Sequence, residues 1–239
     1  MIGGMLDDLR KQVCDANVRL LAEGLVIRQF GNVSGIDRDG GYVVIKPSGL
    51  PYDGMTPAHM VVVSLAEGEV VAGDLRPSSD TATHLELYRA FKTIGGVVHT
   101  HSLHATAWAQ AGRGIPPLGT THADCFYGSV PCTRLLTVKE IRRDYEANVG
   151  KVIVEQFAGL DLSAVPAVLV AGHGPFVWGD SPDDAVHNAV MLEYVARLAS
   201  ETLAVEPYPR PLQMELLDKH FGRKHGPGAH YGQKDNPTP

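Results

Sequence analysis

Residues 78–102, SSDTATHLELYRAFKTIGGVVHTHS, change hydrophobic period halfway along, and that change decides the fold class. Over Thr81–Phe91 the apolar positions repeat as in a helix, and after the Gly95-Gly96 pair the run GGVVHTH at 95–101 reads as a strand. A helix feeding an apolar strand predicts a helical layer on a sheet. The alternation continues upstream. Leu6, Leu9, Val13, Ala16, Leu20 and Leu21 keep a helical period over about 5–24, closed by Gly24, and GYVVIK at 41–46 and MVVVSL at 60–65 are β-rich runs between Pro and Gly turns. Downstream, a short helix is read from His104 to Gly112, followed by a Gly/Pro/Thr-rich loop to about Pro131. Thr137-Val-Lys-Glu140 is a capping box opening a helix predicted to break near Gly150, with KVIVEQFAG continuing as strand and then helix. AVLVAGHG at 167–174 reads as a buried strand ending at glycines. Ser181-Pro182-Asp183-Asp184 opens a further helix with a cap, a first-position proline and acids facing the dipole, and a last helix is placed at about 210–221. These elements predict a single α/β domain over residues 1–239, with 1–4 and 235–239 as disordered ends.

Composition narrows the function classes. With 44% hydrophobic and 20% charged residues the chain is globular in type, and neither a fibrous nor a disordered composition fits. No apolar run approaches the ~20 residues that span a bilayer, and the first residues do not read as a signal peptide. Three cysteines, Cys14, Cys125 and Cys132, with no CxxC pair, predict a reducing, cytoplasmic setting rather than a disulfide framework. A net charge of −6 without a basic block disfavours nucleic acid or an anionic membrane as partner. Eleven histidines against three cysteines mean that a bound metal would be held by imidazole and carboxylate rather than thiolate.

His99 and His101 sit two apart at the end of an apolar strand, where i and i+2 side chains share a face. Both imidazoles can therefore reach one ion, although such a pair is also an ordinary half-exposed feature. His173, between Gly172 and Gly174, ends another strand, and Asp80 offers either a carboxylate ligand or a helix N-cap. Three small polar elements suit an anion. Lys46-Pro47-Ser48-Gly49 supplies a cation, a hydroxyl and a closely approachable amide, Ser78-Ser79 opens a helix, and Gly31-Asn32-Val33-Ser34 is a glycine turn with an amide side chain.

Taken in order, Gly31-Asn32-Val33-Ser34, IKPSG at 45–49, PSSD at 77–80, VVHTHS at 97–102, GTTHAD at 119–124 and GHGPF at 172–176 resemble the class II aldolase/epimerase family. The stretches PSSDTATH, GTTHADCFYG, HGPFVWG, DDAVHNAV, LLDKH and KHG with HYGQ extend the likeness over nearly the whole chain, towards the family's L-ribulose-5-phosphate 4-epimerase branch. The resemblance implies a three-layer α/β/α fold around a central, mostly antiparallel sheet. It implies one Zn²⁺ per subunit on Asp80, His99, His101 and His173, a donor set that also accepts Mn²⁺ or Co²⁺. Binding of a phosphorylated ketopentose is implied for Gly31, Asn32, Lys46, Ser48, Gly49, Ser78 and Ser79, with His220 and Arg223 nearby. Asp124 and Tyr231 are implied as an acid/base pair delivered from a neighbouring subunit of a C4 homotetramer.

The related fuculose-1-phosphate aldolases carry Glu where Asp80 stands, so Asp80 favours an epimerase over an aldolase that cleaves a ketose 1-phosphate. A non-catalytic metal-binding homologue is a third reading. Inverting C4 of L-ribulose 5-phosphate to give D-xylulose 5-phosphate cannot proceed by simple deprotonation, because the C4 hydrogen is not adjacent to the carbonyl. Breaking C3–C4, turning the aldehyde fragment and re-forming the bond solves this, provided a Lewis acid stabilises the enediolate and two groups on opposite faces handle the C4 hydroxyl proton.

Overall fold

The computed structural model describes residues 6–226 and 229. Among these, seven strands form one sheet: β1 Asn32–Asp37, β2 Tyr42–Ile45, β3 Val61–Ser64, β4 Val70–Ala72, β5 Gly96–His99, β6 Ala167–Leu169 and β7 Pro175–Gly179. Their spatial order is β4-β3-β2-β1-β5-β7-β6, and each neighbouring pair is antiparallel. Eight α-helices accompany them: α1 Asp7–Ala22, α2 Thr81–Ala90, α3 Leu103–Gln110, α4 Thr120–Ala123, α5 Val138–Arg142, α6 Tyr145–Gln156, α7 Pro182–Val205 and α8 Met214–His225.

Period-2 alternation on the strands sorts the helices into two layers. Val33, Val98, Val177, Ala167 and Leu169 face α1, α3 and α7, while Val43, Val97, Val168, Phe176 and Trp178 face α2 and α6. Each of these side chains is essentially removed from water, worth about 1.5–3 kcal/mol for a Val, Leu or Phe. The fold is thus the three-layer α/β/α arrangement that the resemblance implies, with a sheet antiparallel throughout. Gly95 and Gly96 explain how α7 enters so close to β5. A Cβ would lie 1.9 Å from the Asp180 carbonyl oxygen at the first and 2.4 Å from that of Ser181 at the second.

Three local expectations are corrected. The Gly31–Ser34 turn opens a central strand, β1, because Asn17 on α1 satisfies it. The Asn17 Oδ1 accepts from the Val33 N–H over 2.9 Å, and its amide donates to the Val33 carbonyl over 3.1 Å. The stretch after Gly174 returns as β7 rather than ending the sheet there. The capping box at Thr137–Glu140 is present, but it opens only the short α5. The chain then turns at Asp144, with φ of +53°, and α6 runs straight through Gly150 with no strand in KVIVEQFAG. Gly150 is the contact with α2, since a Cβ there would lie 2.5 Å from Glu86 Cβ and 3.1 Å from the Thr83 carbonyl oxygen. The missing side chain brings two helices together instead of ending one.

The expected disordered ends, 1–4 and 235–239, lie outside the described residues.

Candidate active site

The sheet delivers His99 and His101 from the end of β5, and the turn before β7 delivers His173 beside them. One donor nitrogen from each imidazole lies within 4.8 Å of the others, and His99 Nε2 is 3.2 Å from His101 Nε2. The rings are oriented from behind. His99 Nδ1–H donates to the Pro175 carbonyl over 2.9 Å, and the ring stacks on Phe176 at 4.2 Å and 13°. Fixing the proton on Nδ1 leaves Nε2 as a lone pair aimed at the cluster. His173 Nδ1 is 3.4 Å from the Tyr145 hydroxyl. Burial pushes His99 down to about 3, and also lowers His101 and His173, so all three stay neutral as metal binding requires.

Asp80 is not within the three-histidine cluster, but it lines the same cleft. It stands at the N-cap position of α2, yet its side chain makes no cap bond; the ordinary reading of that position is therefore not used. Its Oδ2 accepts from the Asn32 amide over 2.7 Å. Burial works to raise the Asp80 carboxyl, yet it is held below the usual range, and the Asn32 amide that donates to Oδ2 favours its ionised form without needing a charged neighbour. A carboxylate with Oδ1 left over beside three neutral imidazoles is a donor set that fits a borderline divalent ion such as Zn²⁺.

The three small polar elements meet the cluster in the same cleft, about 400 Å³ in volume. All seven substrate candidates line it: Gly31, Asn32, Lys46, Ser48, Gly49, Ser78 and Ser79. Two loops are zipped together to achieve this. The Ser48 N–H donates to the Arg76 carbonyl over 2.9 Å, and the Ser78 N–H to that of Lys46 over 3.1 Å. Gly31 has φ of +96°, and a Cβ there would meet Val26 at 2.8 Å and the His99 carbonyl at 3.0 Å. Tyr52 holds this turn by donating to the Gly31 carbonyl over 2.7 Å.

Lys46 is 2% exposed, and burial pushes its ammonium down to about 8. Its Nζ lies 4.8 Å from the Tyr52 ring centre and 3.4 Å from the Pro47 carbonyl oxygen. A buried cation so sparsely compensated suits an anionic ligand. Ser48, Gly49, Ser79 and His101 form the exposed rim, and Asn32, Ser78 and His99 the buried floor. Tyr145 and Glu146 also line the cleft and were not singled out by sequence. They begin α6, an element that the local pattern split incorrectly.

Asp124 does not line this cleft. It follows α4 and is gripped by α8, with Arg223 donating to both carboxylate oxygens at 2.9–3.2 Å and His220 Nδ1 at 3.0 Å. Burial works against the charge, but Arg223 and His220 outweigh it and hold the Asp124 carboxyl below its ordinary value. The structure therefore brings Asp124, His220 and Arg223 together, in a place separate from the histidine cleft. Tyr231 lies outside the described residues. Among the described residues, no helix is long and apolar enough to cross a membrane.

Comparison with known proteins agrees with this geometry. Residues 11–200 match the family described as Class II Aldolase and Adducin N-terminal domain. The chain is 55% identical over 229 residues to L-ribulose-5-phosphate 4-epimerase UlaF of Salmonella paratyphi B, covering 96% of this chain and 100% of that protein. The same identity and coverage are found with the enzyme of that name from Salmonella paratyphi A. Among solved structures, an L-fuculose 1-phosphate aldolase superposes with a TM-score of 0.75 at 23% identity, over 89% of this chain and 94% of that one. The L-fuculose-1-phosphate aldolase of Thermus thermophilus gives 0.64 at 25% identity, over 84% and 98%. With this family match over most of its length, and with relatives more than half identical along nearly all of it, the chain belongs to the class II aldolase/epimerase family.

Proposed function

We propose that the protein is a zinc-dependent L-ribulose-5-phosphate 4-epimerase that interconverts its substrate with D-xylulose 5-phosphate by breaking and re-forming the C3–C4 bond. One observation carries this reading: three converging neutral imidazoles and a buried, nearly uncompensated lysine share a single cleft. The identity to curated 4-epimerases supports the choice of substrate. His99, His101, His173 and Asp80 would hold one Zn²⁺ per subunit, with Mn²⁺ or Co²⁺ accepted by the same donors. When bound, the ion supplies Lewis-acid stabilisation of negative charge on the ketose oxygens.

The protein's own groups do the rest. Lys46, Ser48, Gly49, Ser78 and Ser79, with Asn32 and Gly31, grip the phosphate. That grip keeps the phosphorylated aldehyde fragment in place while it turns, so that re-formation of the bond remains intramolecular. Asp124 and Tyr231 exchange the C4 hydroxyl proton on opposite faces. Asp124 does not line its own chain's histidine cleft, which supports delivery from a neighbouring subunit of a C4 homotetramer, with His220 and Arg223 orienting it. Exposed Leu103, Leu135 and Val138 supply apolar surface for such packing. We further propose one domain acting in the cytoplasm in pentose catabolism, in keeping with three free cysteines.

A ketose-1-phosphate aldolase is the second reading, favoured by the superposition on L-fuculose 1-phosphate aldolase. Side-by-side assays with L-ribulose 5-phosphate and L-fuculose 1-phosphate separate the two. The proposal expects D-xylulose 5-phosphate from the first, with little dihydroxyacetone phosphate from the second. The reverse result would establish the aldolase, and no turnover of either by metal-loaded protein would favour a non-catalytic metal-binding homologue.

A further inference from the structure

Two of the three small polar elements of the cleft are joined by one buried side chain to which the proposed chemistry gives no part. Tyr52 stands in the loop that follows β2 and is 4% exposed. It belongs to the apolar cluster of Val13, Val44, Met60 and Val62, and it does not line the cleft. The Lys46 Nζ lies 4.8 Å from its ring centre. Its hydroxyl donates to the Gly31 carbonyl over 2.7 Å, with the Phe30 carbonyl at 3.3 Å. The side chain thus connects the Lys46–Gly49 loop to the Gly31 turn. The third element is attached separately: the Ser78 N–H donates to the Lys46 carbonyl and the Asn32 amide to Ser78 Oγ, each over 3.1 Å.

An ammonium taken out of water needs a partner. Lys46 forms no ion pair among the described residues, and its hydrogen bond to the Pro47 carbonyl is long at 3.4 Å. Asp80, His99, His101, His173, Tyr145 and Glu146 share the cleft, but none of them makes a hydrogen bond or ion pair with it. A carboxylate against Lys46 would neutralise the ammonium and compete with a phosphate for it. An aromatic face attracts a cation through its quadrupole and carries no net charge. It therefore holds the ammonium while leaving the charge for an anion. Burial pushes the Tyr52 phenol up, so its O–H stays protonated and remains a donor to Gly31.

We propose that Tyr52 is a positioning residue of the anion site: its ring face takes the place of a counter-ion and keeps the Lys46 ammonium in position, while its hydroxyl fixes the Gly31 turn. This rests on the reading of Lys46 as the partner of the substrate phosphate. A tyrosine that only filled the cluster around Met60 would affect phosphate binding equally with and without the lysine.

The test uses the full-length, zinc-loaded protein, with inorganic phosphate as the probe. In wild type the Lys46 Hε resonances, assigned by their loss in K46M, should lie upfield of those of the other lysines through the ring current of Tyr52. They should stay there in Y52F and return to the ordinary position in Y52L. In calorimetric titration Y52L should bind phosphate about 3–30-fold more weakly than wild type, the range of a partly to fully desolvated cation–π contact. Y52F should recover most of that loss, the remainder being the hydroxyl's hold on Gly31. In the K46M background the Y52L change should cost nothing further. Lys46 resonances without the upfield shift in wild type overturn the proposal whether or not Y52L folds. Equal phosphate affinity in Y52L and wild type, or a loss of the same size in both backgrounds, overturns the role of Tyr52 alone. Equal affinity in K46M and wild type would overturn the phosphate reading of Lys46 and this proposal with it.

Discussion

His99 Nδ1–H donates to the Pro175 carbonyl over 2.9 Å, so the backbone of β7 decides which nitrogen of a β5 histidine is free. Every chemical property of the cluster depends on that choice, because only an Nε2 lone pair converges with His101 and His173. Removing metal with a chelator should therefore abolish turnover, and Zn²⁺ should restore it. H101N and H173N should lose more affinity for the ion than the about 10–100-fold typical of an outer-shell partner, as measured by competition with a chromophoric chelator. Activity that persists in thoroughly metal-free protein would exclude the assignment.

Lys46 sets an alkaline limit. Burial lowers its folded-state value to about 8 from the ordinary 10.5. The charge it offers a phosphate is present below that pH and lost above it, so kcat/KM should fall as pH rises through about 8, chiefly through KM. Stability runs the other way. For a cation depressed by burial the penalty is full below the folded value and is relieved between about 8 and 10.5, so this group alone makes the fold more stable as pH rises across that window. K46M should lose the alkaline limb of the KM profile and the corresponding rise in unfolding midpoint in urea. Retention of both would remove Lys46 from the phosphate site.

Asp124 is poised as an ionised group by Arg223 and His220, and it does not line the cleft of the metal donors. D124N should lower kcat by about 10²–10⁴-fold, the usual worth of a general acid or base, while leaving the Co²⁺ titration unchanged. A parallel loss of metal affinity would show that the substitution acts through the fold and not through proton transfer.

Asn17 holds the start of β1, the strand that carries Asn32 into the site. Its amide donates to the Val13 and Val33 carbonyls at 2.7 and 3.1 Å, and its oxygen accepts from the Val33 N–H, one residue from Asn32. N17A leaves two buried main-chain groups of β1 unpaired and should cost about 2–4 kcal/mol in equilibrium unfolding. A cost below ~1 kcal/mol would mean that water replaces the amide.

These supports also explain which parts of the fold were legible in the sequence. The helix and strand of residues 81–101 carry strong periodicity, and both form as read. The Ser181 cap with Pro182 at the first helical position likewise opens α7. β1 was hidden because NVSGID holds a glycine and three polar residues, and the partners of two of them, Asp80 for Asn32 and His84 for Ser34, lie some fifty residues away at the start of α2 and within it. β7, PFVWG, was hidden behind a proline and two glycines that ordinarily mark a turn. Gly150 signalled a helix break locally, yet tertiary contact with Glu86 uses it to join α6 to α2. At the site, spacing found the His99/His101 pair, but no local pattern could join it to Lys46 or to Tyr145. Their meeting depends on the pairing of β1 with β5 and on α6 crossing α2.

The central claim is a reversible inversion at C4 that needs the metal, and one measurement addresses it most directly. Purified protein, stripped and then reloaded with Zn²⁺, is incubated with L-ribulose 5-phosphate while ¹³C NMR follows the C4 resonance. The account predicts approach to an equilibrium mixture with D-xylulose 5-phosphate in the reloaded sample and none in the stripped one, with the same mixture reached from D-xylulose 5-phosphate. Unchanged L-ribulose 5-phosphate in the zinc-loaded sample, or equal conversion in the stripped one, would contradict it.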